Sequence, residues 1–132
     1  MTLDLSQLDK ATQSLERAII RAKKNEADEE LRDAVIQRFE YTYELCWKML
    51  KRQMEIDSTS PTTIDQLSFR DLFREATEKG FIDNPTSWFI YRDQRNITSH
   101  TYDEQKAEQV RTTAYEFLDA AKKLLIQLKQ RQ

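Results

Sequence analysis

The segment from about Glu26 to Ile56 constrains the fold of this chain more than any other part of the sequence. It contains neither glycine nor proline, and its apolar residues recur at helical spacing along two stripes instead of one. The first stripe is Leu31, Val35, Phe39, Cys46 and Met49, and the second is Ile36, Tyr43, Trp47, Leu50 and Met54. A helix that is apolar over so wide an arc is buried on two sides. It is therefore either the centre of a helical bundle or half of a subunit interface.

Shorter amphipathic segments complete the helical pattern. Helices are predicted over about residues 4–24, 67–79 and 85–98, and from residue 101 to near the C-terminus. Gly80 stands where a helix ends, Asn84-Pro85 restarts the chain, and Thr101 with Glu104 has the spacing of a capping box with Thr101 at the N-cap. With one glycine and two prolines in 132 residues, we predict an all-α, antiparallel up-and-down bundle of four to five helices forming one domain, residues 1–132.

Composition excludes several classes of protein. A net charge of −2 argues against a domain that coats nucleic acid by bulk charge, and we expect no DNA partner, although this charge does not exclude a local basic site. No apolar run is long enough to span a membrane and no secretion signal precedes the first helix, so a cytoplasmic protein is expected. Cys46 is the single cysteine, which rules out an internal disulfide. Without a Cys/His cluster or a glycine-rich phosphate loop, no metal or cofactor is expected.

Polar residues gather on one face near the end of the fourth predicted helix. Arg92, Arg95, Asn96 and Ser99 lie at i, i+3, i+4 and i+7, so they share that face. His100, the only histidine, follows directly and precedes the predicted start of the last helix. The free N–H groups of that helix start are a natural phosphate site, and the Arg95 guanidinium adds donors for phosphate oxygens.

These parts suit cleavage of RNA through its own 2′-hydroxyl, which needs proton transfer and a cation but no metal. His100 is the side chain here whose charge changes near neutral pH. Because one chain offers one histidine, a symmetric dimer would be needed to supply two. The alternative reading is structural, with His100 as a surface or capping residue and the arginines simply solvated.

The long central segment also carries candidates with two readings. Tyr43, Trp47 and Leu50 are either core or dimer interface, or a platform on which a base stacks. Glu40 and Glu44, at i and i+4, are either paired carboxylates for acid–base chemistry or ion-pair partners of Arg92 or Arg95. In each case the structural role is the expected one.

Two motifs resemble a known family. Residues 95–102 spell R-N-x-x-x-H-x-Y, similar to the signature of the HEPN superfamily (higher eukaryotes and prokaryotes nucleotide-binding) and, within it, of the HepT-type toxins. Residues 39–51 spell F-x-Y-x-x-E-x-x-W-K-x-L-K, which resembles proteins long labelled nucleotidyltransferase substrate-binding proteins. The resemblance covers about residues 5–128. It implies a helical bundle that forms at least a homodimer, with facing arginine and histidine motifs.

The resemblance also implies a function. HepT-type members are metal-independent endoribonuclease toxins, neutralised when a small MntA-type nucleotidyltransferase transfers AMP to the motif tyrosine. On this chain Arg95 and His100 would be the catalytic pair and Tyr102 the modified residue, with Arg92, Asn96 and Ser99 supporting them. The older family label implies the opposite allocation, in which this protein is a non-catalytic subunit that binds substrate for the nucleotidyltransferase.

Overall fold

The computed structural model describes residues 2–132, and within them the chain forms six α-helices and one 3₁₀ turn. The helices are α1 (Ser6–Lys24), α2 (Glu29–Asp57), α3 (Pro61–Asp65), α4 (Phe69–Glu78), α5 (Pro85–Ile97) and α6 (Glu104–Gln130), with the 3₁₀ turn at Thr98–His100. The predicted all-α bundle is confirmed. The long helices α1 and α6 both pack on α2 and also contact each other, while α3, α4 and α5 cover the rest of α2.

Helix α2 is the centre of this bundle. It begins after Asp28, whose side chain accepts hydrogen bonds from the backbone N–H groups of Glu30 and Leu31. Both apolar stripes are buried inside the chain, except for Leu31 and Trp47, which are half-buried. The first of the two predicted alternatives is therefore the one observed. Because α1, α5 and α6 cover these stripes, α2 no longer provides an independent reason to expect a dimer.

The end of α4 and the start of α5 form as their sequences predict. Gly80 has φ of 83°, and the N–H of Phe81 donates to the carbonyl of Ala76, which closes the end of α4 with a left-handed residue. Asn84 then caps α5 by accepting from the N–H of Thr86, with Pro85 in the first turn. No helix is predicted between residues 57 and 66, but the structure has the short α3 there, with Ile64 buried.

An aromatic cluster holds α5 against α2 and α6. Phe117 of α6 lies at its centre, with ring centroids 5.1 Å from Phe39, 6.2 Å from Tyr43, 5.7 Å from Trp88 and 5.1 Å from Tyr91. Three of these contacts are edge-on, the geometry that aromatic quadrupoles favour. Because Trp88 and Tyr91 belong to α5, this cluster fixes the helix that carries Arg92, Arg95 and Asn96.

Candidate functional site

Arg95 lies in the last turn of α5 and is held by acidic residues of α2. Its Nε donates to Oε1 of Glu44 at 2.7 Å, and its Nη2 lies 3.7 Å from Oε1 of Glu40. Sequence reasoning expected these carboxylates to partner Arg92 or Arg95, and the partner is Arg95. The Arg95 side chain keeps 32% exposure, and among the described residues its Nη1 has no hydrogen-bond partner. One edge of the guanidinium is therefore fixed while another remains available to a ligand.

Glu44 connects Arg95 to a cleft beside it. While Oε1 of Glu44 accepts from Arg95, its Oε2 accepts from Nε1 of Trp47 at 3.1 Å. Tyr43 and Leu50 are core residues, as predicted, but Trp47 is only half-buried. One carboxylate thus orients both the candidate catalytic arginine and the indole in the cleft wall.

The cleft lies between α2, α3, α4 and α5 and has a volume of about 350 Å³. Its walls are mostly apolar and aromatic: Tyr43, Trp47, Ile64, Leu67, Phe69, Leu72 and Phe73. Arg92, Arg95 and Asn96 also line it, so the structure brings together three of the four residues predicted to share a face. Arg92 is stacked on Phe69, with its Cζ 3.5 Å from the ring centroid.

The fourth residue of that face lies beyond the end of α5, in the 3₁₀ turn that carries the histidine. Ser99 and His100 are both exposed there, and Tyr102 is 87% exposed. The His100 and Tyr102 rings meet edge-to-face, with centroids 6.2 Å apart. His100 and Tyr102 are therefore open to a large substrate, on the turn that follows Arg95.

The predicted start of the last helix is wrong and requires a correction. Thr101 is not the N-cap, because its hydroxyl donates to the carbonyl of Thr98 and closes the preceding turn. The N-cap is Asp103, whose Oδ1 accepts from the N–H groups of Gln105 and Lys106. A short anionic side chain satisfies these donors and the helix dipole together. The N–H groups on which the predicted phosphate site depended are therefore already bonded to a carboxylate.

An ion-pair network around two buried arginines fixes the start of α6 to α2. The Arg32 guanidinium, only 7% exposed, donates to Glu104 and, at 3.0 Å, to Glu108. Arg111 pairs with Glu108 and also donates to the carbonyl of Glu26 at 2.8 Å. Hydrogen bonds from Arg111 and then Arg32 hold the pKa of Glu108 below its usual value. Sequence reasoning missed this network because Arg32 and Glu104 are 72 residues apart.

Two features are absent from the described part of the chain, a group of metal-ligating side chains and a membrane-spanning helix. Across residues 2–132, no three His, Cys, Asp or Glu side chains are grouped closely enough to hold a metal ion. None of the helices in that range is long and apolar enough to cross a membrane.

Comparison with known proteins places this chain in a family. Residues 3–130 match the family model described as nucleotidyltransferase substrate binding protein like. A protein of Haemophilus influenzae named "Probable ribonuclease HepT" is 41% identical, over 98% of this chain and 94% of its own length.

Solved structures agree with that assignment. One from Haemophilus influenzae, reported to reveal the fold of a substrate binding domain of a nucleotidyltransferase, has a TM-score of 0.89 and 38% identity, covering 96% of this chain and 99% of that one. A second, from Thermus thermophilus, has a TM-score of 0.62 and 28% identity, covering 86% of this chain and 98% of that one. This chain therefore belongs to the HepT-type family of HEPN-like, nucleotidyltransferase substrate-binding proteins.

Proposed function

We propose that this protein is a metal-independent endoribonuclease, the toxin of a toxin–antitoxin pair. The observation that carries the proposal is the pairing of a held but accessible Arg95 with an exposed His100 on the next turn of the chain. The 41% identical relative named as a probable ribonuclease supports the same activity.

The chemistry uses groups that the chain itself supplies. A neutral imidazole of His100 removes the proton of an RNA 2′-hydroxyl, and the 2′-oxygen attacks the adjacent phosphorus. The P–O5′ bond breaks as the new P–O2′ bond forms, which leaves a 2′,3′-cyclic phosphate and a 5′-hydroxyl. Arg95 stabilises the negative charge that develops on the phosphorane oxygens. Glu44 and Glu40 keep the guanidinium in place before the substrate arrives.

The departing 5′-oxygen needs a proton, and a second imidazole is the natural donor. Among residues 2–132 there is one histidine per chain, so we propose that two copies associate with their turns around His100 facing each other. The exposure of His100 and Tyr102 on one turn is compatible with such a contact.

Cleavage of a fluorescent RNA in EDTA tests the activity. We expect the wild-type protein to cut the RNA and His100→Ala to cut it roughly 10²–10⁴-fold more slowly. Because His100 is exposed, this variant should keep the helical circular dichroism and thermal midpoint of the wild type. Arg21→Gln, an exposed change on α1, is the matched control. Full metal-free activity in His100→Ala would remove His100 from the reaction.

Subunit mixing tests the need for two histidines. Wild-type and His100→Ala proteins are mixed at fixed total concentration and allowed to exchange subunits. If both histidines of a dimer are required, only wild-type homodimers cut, so activity falls as the square of the wild-type fraction. A linear decrease would mean that each chain acts alone.

Regulation is proposed to occur at Tyr102. Its phenol oxygen attacks the α-phosphorus of ATP, pyrophosphate leaves, and AMP remains on the tyrosine, with a partner nucleotidyltransferase as catalyst. The 87% exposure of Tyr102 makes the oxygen accessible, and the added anion next to His100 would repel RNA phosphates. Intact mass after incubation with the partner and ATP should rise by whole AMP units, and Tyr102→Phe should abolish this rise.

The second candidate is a non-catalytic subunit that binds substrate for a nucleotidyltransferase. It is favoured by the descriptions of the family model and of the Haemophilus influenzae structure. It predicts a stable complex with the nucleotidyltransferase, no RNA cleavage by either protein alone, and an unchanged mass of this chain. The EDTA cleavage assay and the intact-mass measurement together separate the two candidates.

A further inference from the structure

The cleft next to Arg95 has the composition of a site for an anion with an aromatic part. Among its lining residues are three cations, Lys51, Arg92 and Arg95, and one carboxylate, Glu44. Lys51 is ion-paired with Asp65 and Arg95 with Glu44. Arg92 has no carboxylate partner within the described chain, so its guanidinium is the free cation of the cleft wall. The volume of about 350 Å³ lies within the range of roughly 300–1,000 Å³ that small-ligand pockets occupy.

Three arginines surround two phenylalanines, and we call these five residues the arginine–phenylalanine cluster. Phe69 and Arg92 of this cluster line the cleft. The Phe69 and Phe89 rings are perpendicular, with centroids 6.0 Å apart. Arg92 stacks on Phe69 at 3.5 Å, Arg70 lies 4.7 Å from the Phe89 centroid, and Arg74 lies 5.6 Å from it. Only Arg74 of the three has a carboxylate partner within the described chain, Asp71 at 3.3 Å. Arg70 and Arg74 are exposed.

Two of the other surface clefts do not combine basic with aromatic side chains in this way. The one lined by Asp83, Glu116, Asp119 and Lys123 carries a local excess of negative charge, and so does the one lined by Glu104 and Glu108. An open groove between α1 and α2 contains Lys10 and Arg17 but has Tyr41 as its one aromatic residue. Basic and aromatic side chains are combined most densely beside the candidate catalytic residues.

We propose that this cleft is a nucleobase pocket that holds one unpaired base of a single-stranded RNA, with the neighbouring phosphates on Arg70 and Arg74. The inference rests on the proposed ribonuclease function, to which it adds the recognition of substrate. Unstacked bases in single-stranded RNA pack against aromatic rings and arginine guanidinium planes. Trp47 and the stacked Arg92–Phe69 pair provide such surfaces in the walls of the cleft.

The position of the pocket fits a nucleotide next to the bond that is cut. Arg95 and Asn96 line the cleft and stand one helical turn before His100. The exposed Asn96 amide has both a donor and an acceptor for a base edge. A paired base cannot enter, because in a duplex its faces are stacked and its edge is occupied. The pocket therefore makes the enzyme select single-stranded RNA.

Binding is measured with the full-length His100→Ala protein, in which cleavage does not interfere. The probe is a short single-stranded RNA, compared with the same sequence as a duplex. Trp47 lies in the cleft, whereas Trp88 is buried in the core, so a base in the pocket should quench the tryptophan fluorescence, and Trp47→Phe should remove this change. We expect the duplex to bind at least about tenfold more weakly than the single strand.

Two variants separate the pocket from the phosphate contacts. Phe69→Leu keeps an apolar side chain but removes the ring, and should weaken single-strand binding roughly 5- to 100-fold. Arg70→Gln combined with Arg74→Gln should weaken binding and reduce the slope of log affinity against log salt by about 1–2. Arg21→Gln should bind as the parent does. Circular dichroism and thermal unfolding identify any variant that fails to fold, and Asn96→Ala then serves as the second pocket variant.

The outcomes distinguish this inference from the proposed function. If the wild-type protein cleaves RNA but the Phe69 and arginine variants bind RNA with unchanged affinity, the pocket is refuted and the ribonuclease function is retained. Pocket-dependent RNA binding without any cleavage refutes the ribonuclease and retains the pocket. If the variants lose the nucleotidyltransferase partner but bind RNA normally, the cleft is a protein-docking surface and the inference is wrong.

Discussion

Phe117→Ala tests whether the aromatic cluster positions the site. Phe117 is fully buried and its ring contacts four other rings at centroid distances of 5.1 to 6.2 Å. Truncation of a buried phenylalanine to alanine lowers the free energy of unfolding by about 3–5 kcal/mol. The surrounding rings are attached to α2 and α5, and each is held by further contacts, so they cannot collapse into the space. We therefore expect a loss near the middle of that range, about 4 kcal/mol.

That loss is large compared with the roughly 5–15 kcal/mol by which domains of this size are stable. Urea unfolding, followed by circular dichroism, measures it, and the thermal midpoint should fall by roughly 15 °C. Phe117→Leu, which keeps most of the volume, should cost about 1.5 kcal/mol. Ile126→Ala on the same helix, at a side chain 52% exposed, should change stability by less than about 0.5 kcal/mol.

A loss below about 2 kcal/mol for Phe117→Ala would refute the reasoning, because the rings would then have closed the cavity. The functional consequence follows from the same contacts. Trp88 and Tyr91 anchor α5 to Phe117, so loosening them moves Arg95 relative to Glu44. We expect RNA cleavage by Phe117→Ala to fall even at temperatures where the variant is folded, while Ile126→Ala cleaves normally.

Three further predictions concern stability and reactivity. Gly80→Ala should cost about 1 kcal/mol in urea unfolding, because φ of 83° is strained for alanine and its Cβ would lie 3.2 Å from Nη2 of Arg131; an unchanged midpoint would contradict this. The depressed pKa of Glu108 means that its ion pairs stabilise the fold above its unfolded pKa, near the usual 4.5, and are lost as pH falls below that value. The stability difference between wild type and Glu108→Gln should accordingly stay level from about pH 7 to pH 5 and shrink as pH falls further, whereas a difference that stays level down to about pH 2 would show that the pairs contribute little. Burial raises the pKa of the Cys46 thiol, so iodoacetamide should label it only through unfolding, at a rate that rises with urea; fast labelling in native buffer would be inconsistent with the packed core.

Local signals determined much of the fold. Gly80 and Asn84-Pro85 end one helix and begin the next because their conformational preferences act within a few residues. The two apolar stripes of α2 required burial on two sides, and periodicity alone carries that information. The motif at residues 95–102 likewise identified the candidate catalytic residues by spacing and resemblance. What covers each stripe is a different question, because the pattern is the same whether the covering surface belongs to this chain or to another.

Local patterns failed where several candidates competed or where partners were distant. Thr101 and Asp103 both have N-cap side chains, and the choice of Asp103 follows from the turn that closes at Thr98, which shifts the helix start by two residues. The short α3 forms because Ile64 is buried where α3 packs against α2. The first outcome depends on which of two competing local turns forms, and the second depends on a contact with another helix.

The sequence by itself therefore determined the longer helices, their buried faces and the residues of the candidate site, because propensity and periodicity are local properties. Only the tertiary structure decided how those residues are used. It paired Arg95 with Glu44 across 51 positions of the chain and filled the expected anion site with Asp103. It also brought Trp47, Phe69 and Arg92, from three different helices, into one cleft. These arrangements depend on which helix faces meet, and that is fixed by packing of the whole bundle instead of by any single segment.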